Sequence, residues 1–163
     1  MNTSCEIAVR LIQKCAQNHI TVSTAESCTG GLTAKLLTDV PGSSAVFLGA
    51  CVTYTNEVKM KLLGVDPSII AQHTEVSHAC AKAMAEGARQ NIGTTFGIST
   101  TGYAGPGGGT NADPVGTVYI AISTPNGTFS ERFSAPSGLD RLGVREAAAI
   151  RALELLWERI QGA

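Results

Sequence analysis

A chain of 163 residues with 44% hydrophobic and 15% charged residues is long enough for one domain with a real core, and it is not a disordered segment. The net charge of −1 and the absence of basic runs exclude the electropositive surface that usually marks a nucleic-acid-binding protein. No apolar stretch approaches the roughly 18 residues that a membrane span needs, the first turns carry Glu6 and Arg10, and the five cysteines form no C-x-x-C pair. These features predict a soluble cytoplasmic protein with free thiols, no membrane association and no nucleic-acid partner.

Ile7, Leu11, Ile12 and Cys15 recur at helical spacing and predict an amphipathic helix over 4–18, with Thr3-x-x-Glu6 as a capping box. Ile20 to Thr24 alternates like a short strand. Ser27, Gly30 and Gly31 follow, and a helix runs from Gly31 to Thr38. Pro41-Gly42-Ser43-Ser44 is a turn. The apolar, β-favouring run from Val46 to Thr55 reads as a central, well-buried strand. Asn56 reads as the N-cap of a short helix, Glu57 to Leu63, stopped by Gly64. A helical turn follows from Pro67 to Ala71. Ser77 caps an alanine-rich helix over 78–91.

Thr95 to Thr100 is a strand, and Gly102 to Pro114 a loop with five glycines. Val115 to Thr124 and Thr128 to Phe133 form a hairpin around Asn126-Gly127. A helix over 139–160 closes the chain, with Leu142, Ala149, Leu153, Leu156 and Ile160 near one face. This order predicts a single-domain α/β sandwich over residues 1–163 with a mixed sheet, because the hairpin must pair antiparallel.

In open α/β sheets, ligands gather beyond the carboxyl ends of strands. The segment Glu26-Ser27-Cys28-Thr29-Gly30-Gly31 puts a serine where a strand passes into a helix. A hydroxyl there either caps the helix or attacks a carbonyl while nearby amides hold the oxyanion. Cys28 is a rival nucleophile, since a helix N-terminus lowers a thiol pKa. Lys59 falls in the first turn of its helix, where the dipole disfavours a cation. It reads either as a surface residue beside Lys61 or, if partly buried, as a base toward a serine. Tyr54 either orients a proton or fills the core rim. The glycine-rich loop lacks the Gly-Lys-Ser/Thr of a Walker motif, and His19, His73 and His78 lack metal-ligand spacing. No metal and no cofactor is expected.

Taken together, Ala25-Glu26-Ser27-Cys28-Thr29-Gly30-Gly31, Asp39-Val40-Pro41-Gly42-Ser43-Ser44, Val52-Thr53-Tyr54-Thr55-Asn56 with Lys59, Leu63-Gly64-Val65, Val76-Ser77, Thr101-Gly102-Tyr103-Ala104-Gly105-Pro106 and Pro114-Val115-Gly116-Thr117-Val118 resemble the CinA C-terminal domain family, the nicotinamide-nucleotide amidases. The match is ordered and runs along nearly the whole chain. The resemblance implies hydrolysis of the carboxamide of nicotinamide mononucleotide, with Ser27 as nucleophile, Lys59 as its base and Tyr54 as an assisting hydroxyl. It implies oxyanion donors around Thr29, Gly30 and Gly31, further substrate contacts at Asn56, Thr101, Gly102 and Gly105, and a nucleotide-binding arginine at Arg141 or Arg145.

Two departures stand out: Asp113 where a lysine is common before Pro-Val-Gly, and Thr74-Glu75 in place of Gly-Ala. An anion at Asp113 near a phosphate-binding loop would favour a non-catalytic nucleotide-binding module; an amidase for another small amide is the other alternative. The chain resembles the stand-alone form of the family, and an apolar face on its first or last helix would suit a homo-oligomer as well as the core.

Overall fold

The computed structural model describes residues 3–162, with side chains from Glu6 onward, so the Thr3 capping box lies outside the described side chains. The elements are α1 (Thr3–Gln17), β1 (Val22–Glu26), α2 (Leu32–Thr38), β2 (Phe47–Val52), α3 (Asn56–Leu63), α4 (Pro67–His73), α5 (His78–Ile92), β3 (Phe96–Gly102), β4 (Thr117–Thr124), β5 (Gly127–Ser134) and α6 (Arg141–Gln161). The strands form one five-stranded sheet in the order β2-β1-β3-β4-β5. β1 lies parallel to both β2 and β3, whereas β3–β4 and β4–β5 are antiparallel. This is a mixed sheet with helices on both faces, as the element order requires. Among the described residues no helix is long and apolar enough to cross a membrane.

The two faces pack differently. On one side α1, α2 and α6 cover Val22, Phe96, Ile98, Val118, Ile120 and Ile122. Ala8, Leu11, Ile12 and Cys15 supply the buried stripe of α1, at the three- and four-residue steps of a helix face. On the other side α5 packs against β1, β3 and β4 through small residues. Ala81, Ala85 and Ala88 of that helix are fully buried. A Cβ on Gly97 of β3 would collide with the carbonyl oxygen of Ala85, so a side chain there is excluded. Strand hydroxyls on this face are buried but satisfied: Ser99 Oγ donates to the Ala81 carbonyl at 2.6 Å, and Ser23 pairs with Thr94 at 2.7 Å.

Four sequence expectations are corrected. The apolar run in Val46–Thr55 is not central: β2 is an edge strand of alternating exposure, with Leu48 and Val52 about half exposed. The strands buried along their length, such as β1 and β4, carry more serine, threonine and alanine than β2. Leu142 is 51% exposed, and the buried stripe of α6 begins at Val144. Asn56 is not the cap of α3; Thr55 is, its Oγ1 accepting from the Val58 N–H at 3.3 Å. The first strand also begins two residues later than its alternation suggested, at Val22.

Candidate active site

β2, β1 and β3 are adjacent and parallel, so their carboxyl ends lie side by side. The ladder continues past each end: the Ser27 N–H donates to the Thr100 carbonyl at 2.9 Å, and the Thr53 N–H donates to the Glu26 carbonyl at 2.8 Å. Three loops distant in sequence are thereby fixed around one cavity of about 380 Å³. Its lining includes Ser27, Cys28, Tyr54, Asn56, Lys59, Glu75, Thr101, Gly102, Tyr103, Gly105 and Arg141.

Lys59 is the chemical centre. Its side chain reaches from the start of α3 back under β2 and is 1% exposed. Nζ lies 3.0 Å from Ser27 Oγ and 3.0 Å from the Thr53 carbonyl oxygen, which accepts from it. Burial pushes the Lys59 pKa below the usual lysine value, because the ammonium loses its hydration; Cys80, Glu75 and Cys28 oppose this only in part. Nζ donates to both the Ser27 hydroxyl and the Thr53 carbonyl, and loss of one proton would free a lone pair facing Ser27 Oγ. A hydroxyl and a buried amine at this distance are within reach of proton exchange.

The serine is positioned by its neighbour. Glu26, fully buried at the end of β1, accepts from the N–H groups of Gly31 at 3.0 Å, Thr33 at 3.0 Å and Ala34 at 2.8 Å. Hydroxyls of Thr29 at 2.6 Å and Thr24 at 3.2 Å complete its shell. The carboxylate thus replaces a side-chain cap on α2, a charge that the positive end of a helix favours. Ser27 does not cap the helix, and its hydroxyl is left to Lys59. The role of Glu26 went unread in the sequence. Its signal was an acidic residue at the end of a strand, a short turn ahead of a helix that has glycine, and no Ser, Thr, Asp or Asn, at its cap position.

This arrangement also moves the expected oxyanion donors. The Gly30 N–H donates to the Ser27 carbonyl at 3.1 Å and the Gly31 N–H to Glu26, so neither is available to a ligand. Thr29, Gly30 and Gly31 do not line the cavity. The N–H groups of Cys28 and Thr29 are left without an oxygen acceptor among the described residues, and Cys28 borders the cavity. The glycines serve the turn instead: Gly30 has φ 58°, and a Cβ there would lie 2.9 Å from Arg145 Nη2.

The two arginines separate cleanly. Arg145 Nε donates to the Cys28 carbonyl at 3.0 Å and Nη2 to the Thr29 carbonyl at 3.0 Å, so it braces the serine loop and does not line the cavity. Arg141 does line it, donating to the Gly105 carbonyl and to the Tyr54 hydroxyl. Tyr54 lies beyond the end of β2, is 57% exposed, and makes no hydrogen bond to Ser27 or Lys59. Thr101 Oγ1 donates to the Glu75 carbonyl at 2.7 Å.

Burial pushes the Cys28 thiol up to about 12, overriding any effect of the nearby helix terminus. It is a poor rival to Ser27. Asp113 is absent from the cavity lining; it accepts from Arg132 Nε at 2.8 Å and from the Tyr119 hydroxyl at 3.1 Å, tying the glycine-rich loop to the hairpin.

Fold and site define an α/β protein with a buried serine–lysine pair at the carboxyl ends of adjacent parallel strands. The chain belongs to the CinA C-terminal domain family, whose family model matches residues 5–160. It is 54% identical over 144 residues to a CinA-like protein of Myxococcus xanthus, covering 88% of this chain and 34% of that protein. A CinA-like protein of Synechocystis is 49% identical, covering 86% and 34%. The chain thus spans about a third of the length of the curated relatives it matches. The crystal structure of the competence/damage inducible protein CihA from Agrobacterium tumefaciens superposes with a TM-score of 0.93 at 39% identity, covering 97% of this chain and 96% of that one. A CinA superfamily protein from Klebsiella pneumoniae gives a TM-score of 0.93 at 31% identity with full coverage of both chains.

Proposed function

We propose that this chain is an amidohydrolase that converts nicotinamide mononucleotide to nicotinate mononucleotide and ammonia through a Ser27–Lys59 pair. The observation that carries the reading is the 3.0 Å contact between Lys59 Nζ and Ser27 Oγ inside a cavity, with burial holding the amine toward its neutral form. A buried, unpaired lysine is costly to a fold, and a site that needs a base gives a reason to keep one.

In the proposed course, Ser27 Oγ attacks the carboxamide carbon and its proton passes to Lys59 Nζ. The N–H group of Cys28, which borders the cavity, receives the oxyanion. The tetrahedral species collapses, the C–N bond breaks, and Lys59 returns the proton to the leaving nitrogen, which departs as ammonia. Water then attacks the acyl-Ser27 ester, Lys59 takes its proton, and the acid leaves as Ser27 regains a hydrogen. Arg141 supplies a cation to the phosphate at the mouth, and Tyr54 holds that arginine in place.

The feature that favoured a non-catalytic module, an anion at Asp113 beside the phosphate, loses its force once Asp113 is paired with Arg132 outside the cavity. The deciding experiment is ammonia release from nicotinamide mononucleotide by the purified chain with EDTA present. Turnover supports the reading. Thermal stabilisation by the nucleotide without turnover would replace it with a binding module, and no response of either kind would remove this substrate.

A further inference from the structure

Three charged side chains line the cavity among the described residues: Lys59, Arg141 and Glu75. Lys59 and Arg141 have the hydrogen-bond partners described above. Glu75 is half-buried, and its carboxylate makes no hydrogen bond and no ion pair among the described residues. Its nearness to the site shows in its effects, since its negative charge pushes up the pKa of both Lys59 and Tyr103.

The backbone that presents it is held in an unusual way. Thr74 immediately before it has φ 66°, a conformation that β-branched residues rarely adopt. Such strain persists where surrounding contacts over-determine it. Here Thr74 Oγ1 donates to the Val76 carbonyl at 3.2 Å, Thr101 Oγ1 donates to the Glu75 carbonyl at 2.7 Å, and Ser77 caps α5 directly after. The segment is fixed on both sides, and the carboxylate it carries borders the cavity.

We infer that Glu75 is a specificity-determining residue whose carboxylate recognises a positively charged ring in the substrate, while Arg141 takes the anion. This rests on the proposed function, and it assigns the carboxylate and the guanidinium of the cavity lining to the cationic pyridinium and the anionic phosphate of one ligand. Tyr103, which also lines the cavity and lies within reach of the Glu75 charge, adds an aromatic ring, a group that likewise favours a flat cation. A neutral ring of the same shape would leave Glu75 desolvated without a counter-charge, so the site discriminates by charge as well as by shape.

The test uses the full chain carrying Ser27→Ala, so that no ligand is turned over, with and without Glu75→Gln. Calorimetry at neutral pH compares nicotinamide mononucleotide with its reduced dihydropyridine form, which keeps the ribose and phosphate but has no ring charge. Glu75→Gln is expected to weaken the cationic nucleotide about ten-fold and to change the reduced one less than about two-fold. Glu75→Asp, which keeps the charge, is expected to retain the preference for the cation. Equal weakening of both ligands, no change in either, or loss of the preference in Glu75→Asp overturns the inference and leaves the amidase reading standing. Failure of the Ser27→Ala chain to bind either nucleotide overturns both.

Discussion

Arg141 Nη2 donates to the Tyr54 hydroxyl at 2.7 Å, joining two side chains 87 residues apart across the mouth of the cavity. Arg145, one helical turn further on, points instead at the carbonyls of Cys28 and Thr29. The two arginines should therefore fail differently. Arg141→Ala is expected to raise KM for the nucleotide about ten-fold or more with a smaller change in kcat, and Tyr54→Phe to do so more weakly. Arg145→Ala is expected to lower kcat and thermal stability together, because two carbonyls lose their donor and the serine loop its brace. Steady-state kinetics beside thermal melts separates the two patterns.

Ser27→Ala and Lys59→Met should each reduce ammonia release by about 10³-fold or more while the circular dichroism spectrum is unchanged. Lys59→Met should in addition raise the melting temperature, since it replaces a buried amine by an apolar side chain of similar length. A stable, fully active Lys59→Met enzyme would end the Ser–Lys proposal.

The depressed pKa of Lys59 has two consequences of the same sign. Activity should rise with pH as the folded protein loses this proton, with a midpoint below the ordinary lysine value of 10.5. Between the folded pKa and 10.5 the unfolded chain binds more protons than the folded one, so stability also rises with pH across that window. Below the folded pKa both states are protonated and the full cost of the buried ammonium is present. Urea unfolding as a function of pH should show this rise in the native chain, and Lys59→Met should flatten it.

Glu26 accepts from three amides and two hydroxyls without exposure to solvent. Glu26→Gln keeps the shape but turns an NH₂ group toward donors. The expected loss is about 3 kcal/mol in urea unfolding, with activity falling as the start of α2 loosens. A change under about 0.5 kcal/mol would show that the helix terminus does not depend on this carboxylate.

Cys28 borders the cavity yet has a thiol raised to about 12 by burial. Iodoacetamide at mildly alkaline pH should leave activity essentially intact, and Cys28→Ala should retain most of it. Rapid inactivation that nicotinamide mononucleotide prevents would transfer the nucleophile role to the thiol.

Much was legible from local pattern. Apolar spacing gave away α1 and α6, the Asn126-Gly127 turn marked the β4–β5 hairpin, and Ser27 with its two following glycines marked a strand-to-helix junction. Errors arose where burial depends on what lies across the sheet. The run Val46–Thr55 is as apolar as a central strand, but only β1 pairs with it, so half its side chains face solvent. β1, with Ser23, Thr24 and Glu26 among its five residues, is buried throughout because β2 and β3 flank it and α2 and α5 cover it.

The amino-acid order alone specified the family, the α/β class and the chemical types available at three strand ends, because periodicity and turn chemistry are local properties. Only the tertiary structure decided what those residues do to one another. Strand order brought Lys59 to Ser27 across 32 residues and buried it, which pushes the lysine pKa below its ordinary value. It gave the amides of Gly31, Thr33 and Ala34 to Glu26, paired Asp113 with Arg132 away from the cavity, and divided Arg141 from Arg145. Proton affinity and hydrogen-bond partnership are set by distance and desolvation, and both are fixed by residues far away in the chain.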